Sequence, residues 1–251
     1  MRIIVNGLGG FMGKEIAKLA ASGYRGAELV AGADPNCTDG TVSCVRDIRE
    51  LQVEADCVID FSHHSATNAL LEFCVKNRLP LVLATTGQTE EELAAIREAS
   101  ETVPIFFASN FSLGIALLLE LAKQAAAALP EAEIEIVETH HNRKQDAPSG
   151  TALALAKAIC EVRPDAEILC GRSGQGKRKP QEIGIHSLRI GNVVGEHEVI
   201  LGTPYQTITL KHEAHSRAVF AEGALAAAEF LIKKPAGLYA MQDMVSSEKG
   251  A

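Results

Sequence analysis

Short apolar runs closed by glycine or polar turns alternate with helical patterns over the first 110 positions. The run RIIVN is ended at once by GLGG, and apolar residues at Ile16, Leu19 and Ala20 then recur at helical spacing. That predicts a strand, a glycine turn and a helix. ELVAGAD (28–34), DCVIDFS (56–62), PLVLATTG (80–87) and VPIFFASN (103–110) are further apolar runs, with the helical stretches ATNALLEFCVKNR and TEEELAAIREAS between the last three. Strands without clean alternation, separated by helices, belong to a parallel sheet covered on both faces. After an apolar helix at 111–129 the texture changes. AEIEIVETHH, GIHSLRIGN and QTITLKHEA alternate with period two, VGEHEVIL is a further strand candidate, and turns such as GTPYQ separate them. These predict a mixed or antiparallel sheet, open on one face, with SGTALALAKAIC as a helix against the other. The last helix, RAVFAEGALAAAEFLIKK, has an apolar face of its own and is assigned back to the first domain. The predicted fold is α/β: a Rossmann-type doubly wound parallel sheet over 1–110 and 217–251, with an inserted α+β domain at 111–216.

Composition narrows the partners. A chain of 251 residues, 47% hydrophobic and 22% charged, can bury a large core, which disfavours disorder. A formal net charge of -8 argues against a general nucleic-acid or anionic-membrane binder and for a small-molecule partner. Glu120 and Lys123 interrupt the most apolar helix, so no membrane span is expected. Six cysteines (37, 44, 57, 74, 160, 170) show neither C-x-x-C nor zinc-type spacing and read as thiols of a reducing compartment. MRIIVNG begins a strand pattern where a secretory signal would place its apolar region, so the protein is expected to be cytoplasmic. His212 and His215 fall on opposite faces of a predicted strand, which argues against a metal site. The basic run Lys177, Arg178, Lys179 reads as a solvated loop.

Two stretches carry chemistry. From Gly7 the chain runs G-L-G-G-F-M-G, with glycines at 7, 9, 10 and 13. Glycines let the chain turn tightly, bring backbone N–H groups to a pyrophosphate and pack the following helix close to the strand. The strict G-x-G-x-x-G spacing is broken, because position 12 is Met. The context supplies what the motif lacks: a strand before, a helix after, and Asp34 at the end of the second strand, where an acid would bind the adenosine ribose hydroxyls.

The second stretch is ETHHNRKQDAPSGTA, residues 138–152. Pro148 and Ser149 precede an Ala/Leu-rich helix, so Ser149 is a natural N-cap and the N–H groups of Gly150 and Thr151 form an anion site. Lys144 adds a positive charge, Asp146 is a turn residue, and His140 and His141 end a strand with side chains in opposite directions. Cation, helix start and imidazole together suit a carboxylate-bearing substrate that must also accept a proton.

This stretch closely resembles the signature of the 4-hydroxy-tetrahydrodipicolinate reductases (dihydrodipicolinate reductases). The resemblance runs through the whole chain, with GLGGFMG, VIDFS (58–62), ATTG (84–87), SNFSLG (109–114), VGEH (194–197), HSRAVFAEGAL (215–225) and GLYAMQDM. It implies an NAD(P)H-dependent oxidoreductase of the diaminopimelate route to lysine, in which hydroxy-tetrahydrodipicolinate loses water and is reduced to tetrahydrodipicolinate. Position by position, His140 matches the family's proton donor/acceptor and Lys144 its proton donor. His141, Gly150 and Thr151 match substrate contacts, with Ser149 between them. Gly7, Leu8, Gly9, Gly10, Phe11 and Met12 match the pyrophosphate loop, and Asp34 the ribose acid. Ala84, Thr85 and Thr86 match a loop beside the nicotinamide, and Ser109, Asn110 and Phe111 the segment closing over it. A homotetramer with contacts through the second domain's sheet is also implied. Three positions depart from the pattern. Pro35 and Asn36 follow Asp34 where NADPH users often carry arginine, so NADH is the expected cofactor and NADPH a possible one. Ala84 stands where many relatives have Gly, and RIGN (189–192) replaces the commoner Arg-Gly-Gly, changes expected to alter packing only.

Overall fold

The computed structural model describes residues 1–37 and 43–247; positions 248–251 of the predicted first domain lie outside the described residues. The chain divides into two compact units, Met1–Ser112 with Ala218–Ala251, and Leu113–Arg217. The first begins with β1 (Arg2–Asn6), α1 (Phe11–Ala21), β2 (Glu28–Ala33), β3 (Ser43–Val45) and β4 (Cys57–Asp60). It continues through α2 (Thr67–Asn77), β5 (Leu81–Leu83), α3 (Glu90–Ser100) and β6 (Pro104–Phe107). The second unit holds α4 (Leu113–Ala128), β7 (Glu133–His140), α5 (Gly150–Cys160), β8 (Glu167–Cys170), β9 (Glu182–Arg189), β10 (Gly195–Thr203) and β11 (Gln206–Ala214). The chain then returns to the first unit with α6 (Ala218–Leu231), β12 (Gly237–Tyr239) and α7 (Met241–Ser247).

The first unit's sheet has the order β12-β6-β5-β4-β1-β2-β3, and every pairing is parallel. Its strands carry aliphatic residues on both faces because helices cover both: α2 and α3 bury Ile4, Val58, Leu81, Leu83 and Ile105 on one side, and α6 packs on β4, β5 and β6 from the other. The order reverses between β1 and β4, the switch point at which open α/β sheets bind ligands beyond their strand ends. A buried carboxylate staples those ends together. Asp60 Oδ1 accepts from Asn6 Nδ2 at 2.7 Å and Ser62 Oγ at 2.6 Å, and its Oδ2 accepts from Thr85 Oγ1 at 2.5 Å. Burial pushes the Asp60 carboxyl above its ordinary pKa, since none of its three partners carries a charge.

The second unit's sheet is mixed, in the order β11-β10-β7-β9-β8. β7, β9 and β8 run parallel to one another, while β10 is antiparallel to both β7 and β11. Alternation gives it one apolar face, where Ile134, Ile136, Ile183, Ile185, Val199 and Leu201 pack beneath α4 and α5.

The structure departs from the sequence pattern in three places. β3, β8, β12 and α7 were not anticipated; β3 and β12 are three-residue edge strands too short to show a period, and β8 is four residues with little buried surface. Cys37 and Cys44 are not thiols but are joined in a disulfide with Cα atoms 5.9 Å apart, a proximity created by β3 lying beside β2 and invisible in linear spacing. Arg178 is not a solvated loop residue: it donates to Glu135 Oε1 at 3.1 Å, to the Ile134 carbonyl at 3.1 Å and to the Glu182 carbonyl, which pins the basic run to β7 and β9.

The glycine turn places α1 tightly on β1. A Cβ on Gly13 would lie 2.2 Å from the Gly7 carbonyl oxygen and 2.7 Å from Leu8 Cα, both backbone atoms that cannot rotate away. Gly13→Ala is therefore expected to destabilise the protein by about 1–3 kcal/mol through overpacking, read as a lowered urea midpoint. An unchanged midpoint would mean that α1 can lift from the turn.

Candidate active site

In the first unit, the positions expected to hold a dinucleotide gather at the carboxyl ends of β1, β2, β5 and β6. Gly7 has φ +84°, which L side chains rarely adopt, and a Cβ there would meet the Phe61 carbonyl at 2.6 Å. The Gly7 N–H donates to the Ala33 carbonyl at 2.8 Å, and Gly10 closes the turn by donating to the Gly7 carbonyl at 3.1 Å. Leu8 turns inward onto Gly32, where any Cβ would stand 2.3 Å from its side chain. Gly10 is the N-cap of α1 and offers no side-chain cap, and no acidic residue lies in the first turn. α3 is built the opposite way: Thr89 and Glu92 form a capping box and Glu90, Glu91 and Glu92 fill its first turn. The positive end of α1 is thus left uncompensated where an anion would bind, and Phe11 stands exposed beside Met12 at that end.

Asp34 is buried and already oriented. Its Oδ2 accepts from the Gly9 N–H at 2.9 Å and its Oδ1 from the Asn36 N–H at 2.8 Å, while a Cβ on Gly9 would lie 2.9 Å from its Cγ. The remaining expected contacts differ in what they can offer. Thr85 is buried and spends its hydroxyl on Asp60, between Ala84 and the exposed Thr86. Phe111 is buried too, its ring packed on Phe61 and Phe106 with centroids 6.0 and 5.7 Å away, so only its backbone is available beside Ser109 and Asn110. Asn110 Oδ1 accepts from the Ser112 N–H at 2.9 Å and shapes that segment.

In the second unit, β7 and the start of α5 converge. His140, the last residue of β7, is buried on the same face as Ile134, Ile136 and Glu138. Its Nδ1 lies 2.5 Å from Glu138 Oε2, and its Nε2 faces the backbone at Gly195, where an added Cβ would approach to 3.1 Å. Glu138 has no exposed surface. Arg189 from β9 grips it with two bonds, Nη1 to Oε2 at 2.9 Å and Nη2 to Oε1 at 2.8 Å, and the Ser149 N–H adds a third donor to Oε1 at 3.2 Å. Burial acts to raise the Glu138 pKa, but hydrogen bonds from Arg189, Ser187 and His140 outweigh it and pull the carboxyl down to about 2.

Ser149 caps α5 by accepting from the Ala152 N–H at 3.2 Å, and its Oγ lies 3.1 Å from His197 Nε2. No acidic residue lies in the first turn of α5, and the space around Gly150 is open for at least 4 Å beyond a would-be Cβ. Gly150 and Thr151 therefore begin a helix whose positive end faces room for a ligand anion. The His197 ring stands edge-on to His140 at 5.1 Å, and burial together with positive charge on His140 depresses its pKa to about 4. Lys144 sits in the turn after β7, its N–H bonded to the His141 carbonyl at 3.1 Å and its Nζ 2.8 Å from Asp146 Oδ1. His141 is half-buried, and its pKa is lowered by desolvation and by the nearby Arg143 and Arg217 guanidinium groups.

Three residues that sequence reasoning passed over complete this centre: Glu138, Arg189 and His197. The signal for Glu138 was present, since the alternation that buries Ile134 and Ile136 carries on through Glu138 and His140 to the same face. Arg189 and His197 lie 51 and 59 residues from Glu138 and arrive only through the pairing of β9 and β10 with β7.

Comparison with known proteins places both units in one family. The family model for "Dihydrodipicolinate reductase, N-terminus" matches residues 1–111, and that for "Dihydrodipicolinate reductase, C-terminus" matches residues 114–245. The chain is 49% identical over 247 residues to a 4-hydroxy-tetrahydrodipicolinate reductase of Caldanaerobacter subterraneus subsp. tengcongensis, covering 98% of each chain. It is 44% identical over 250 residues to one of Clostridium novyi, covering 98% of this chain and 99% of the relative. Its backbone is similar to a dipicolinate-bound dihydrodipicolinate reductase from Paenisporosarcina sp. TG-14, with a TM-score of 0.83 at 27% identity, 97% of this chain and 99% of that one being covered.

The two shifted groups make acid stability a test of the buried centre. A histidine held neutral with a pKa near 4 binds its proton later in the fold than in the unfolded chain, whose imidazole titrates near 6.5. His197 thus favours the fold fully above pH 6.5, and that contribution is lost as pH falls toward 4. Glu138, lowered to about 2 from 4.5, contributes above pH 4.5 and loses that contribution only below it. Between pH 7 and 4.5 protonation linked to His197 should cost up to about 3 kcal/mol. Urea midpoints at both pH values should fall less for His197→Gln than for the wild type, and parallel losses would place the acid sensitivity elsewhere.

Proposed function

The chain belongs to the dihydrodipicolinate reductase family, and we propose that the residues gathered in its two units divide one reduction between cofactor and substrate. The protein is an NAD(P)H-dependent oxidoreductase that converts hydroxy-tetrahydrodipicolinate, with loss of water, to tetrahydrodipicolinate in the diaminopimelate route of lysine biosynthesis. Its substrate is a small dicarboxylate, and the solved relative was captured with dipicolinate. In this reading the enzyme is cytoplasmic and works as a homotetramer, with subunit contacts on the open face of the second sheet, where Leu188 is exposed.

The glycine cradle fits a pyridine dinucleotide. The N–H groups at the start of α1, with the backbone of Gly7 to Met12, would hold the pyrophosphate, and Ala84 to Thr86 with Ser109 to Phe111 would flank the nicotinamide. When bound, the reduced nicotinamide supplies hydride. Asp34, its oxygens already aimed by Gly9 and Asn36, would accept hydrogen bonds from a free ribose diol and repel a 2′-phosphate.

On the substrate side, the start of α5, capped by Ser149 and with no acid in its first turn, carries the reading. Ser149, Gly150 and Thr151 would hold one carboxylate there, and His141 would contact the substrate across the turn. Lys144 would exchange Asp146 for the substrate and meet negative charge as it develops on the ring, lowering the barrier in the transition state more than in the ground state. His140 would move a proton at Nε2, its Nδ1 being committed to Glu138.

NADH is expected to give the higher kcat/KM when both cofactors are compared at one ionic strength, and a clear preference for NADPH would remove Asp34 as the selecting residue. Thr151→Val should mainly raise KM for the dicarboxylate, because a carboxylate contact is made about equally in ground and transition states. Lys144→Ala should cut kcat by around a hundredfold, about 3 kcal/mol for one preorganised donor. A Lys144→Ala enzyme with raised KM and intact kcat would make Lys144 a binding residue only.

A further inference from the structure

We infer that Glu138, clamped by Arg189, is a positioning residue that fixes the tautomer and ring orientation of His140 and sets the helix start and the Lys144 turn around it. The inference rests on the reading above in which His140 moves a proton. A carboxylate with no exposed surface must be surrounded by donors, and Glu138 has them from three directions: His140 on its own strand, Arg189 on β9 and the Ser149 N–H at the start of α5. An ionised carboxylate only accepts, so the His140 nitrogen against it carries the hydrogen, and Nε2 is left as the atom that can take or release a proton toward substrate. The ring cannot turn over without placing a carbon against the carboxylate.

The arrangement reaches further than one imidazole. The bond from the Ser149 N–H ties the first residue of the anion site to the carboxylate that aims the ring. Arg189 Nη2 also donates to the Asp146 carbonyl at 2.6 Å, and Asp146 is the residue on which Lys144 rests. Proton donor, helix start and lysine turn therefore share a single anchor. A purely structural ion pair would explain the burial, but it would place no demand on which His140 nitrogen is protonated.

The test reads that nitrogen directly. In enzyme labelled with ¹⁵N-histidine, at a pH where the ring is neutral, the signals lost in His140→Gln should report a protonated Nδ1 and an unprotonated Nε2. A protonated Nε2 in the wild type would overturn the inference whatever the variants do. In Glu138→Gln the amide can turn its NH₂ toward Nδ1, so the hydrogen should move to Nε2. kcat should then fall roughly 10- to 100-fold while KM for NADH stays unchanged. Glu138→Asp should restore part of the loss, and adding Glu138→Gln to His140→Gln should lower kcat by clearly less than Glu138→Gln does alone, the remainder reporting the helix start and the Lys144 turn. Unaltered kcat in Glu138→Gln, or a full second loss in the double variant, would overturn the positioning role alone. Unaltered kcat in His140→Gln would instead remove the proton-moving role of His140 on which the inference stands.

Discussion

An ionised carboxylate sealed from water survives only if other donors replace the solvent, and the second unit is organised around satisfying one. Glu138 stands on the buried face of β7 in line with Ile134 and Ile136, where a charge would be among the most costly of residues. Arg189 cancels the charge, and His140 and the Ser149 N–H use the oxygen lone pairs that remain. The first unit contains an instructive contrast. Asp60 is equally hidden, but its partners are an amide and two hydroxyls, and its pKa moves up where that of Glu138 moves down. Asp60 is suited to joining strand ends; Glu138 is suited to holding a fixed negative charge beside an imidazole.

The helices divide along the same line between fold and chemistry. α3 begins with a complete capping box and three carboxylates, and it satisfies its own dipole without help. α1 begins at a glycine and α5 at a serine already engaged by Ala152 and His197, with no acid in either first turn. A helix start left this way favours an external anion, and the proposed reading puts a pyrophosphate there in one unit and a carboxylate in the other.

Much of this was legible in the sequence, because it is written locally. Uninterrupted apolar strands between helices required a sheet covered on both faces, and strict alternation after residue 131 required one with a single covered face. The glycine turn, Asp34 at the end of the second strand and the Pro-Ser-Gly-Thr helix start are likewise contiguous signals. What escaped was created by strand pairing. Nothing near Arg189 in RIGN indicates a carboxylate partner, because that partner is supplied by β7 in parallel register with β9. His197 became part of the centre because its antiparallel partner on β7 is Glu138 itself. The same holds for Cys37 and Cys44, brought together by β3 alongside β2.

The departure at RIGN takes on a different meaning once those pairings are known. Glycines after an arginine suggest a turn chosen for backbone freedom, and replacing the first of them with Ile190 reads as a packing change. Gly191 has φ +51°, so the left-handed position of the turn is kept, and Ile190, bonded through its N–H to the His140 carbonyl at 2.9 Å, points its side chain to solvent. The substitution therefore leaves untouched the one element that matters to Glu138, the guanidinium entering from the end of β9. The constraint on that turn lies on its inner side, where exchanging the planar, two-pronged donor of Arg189 for a lysine would leave one Glu138 oxygen short of its partner.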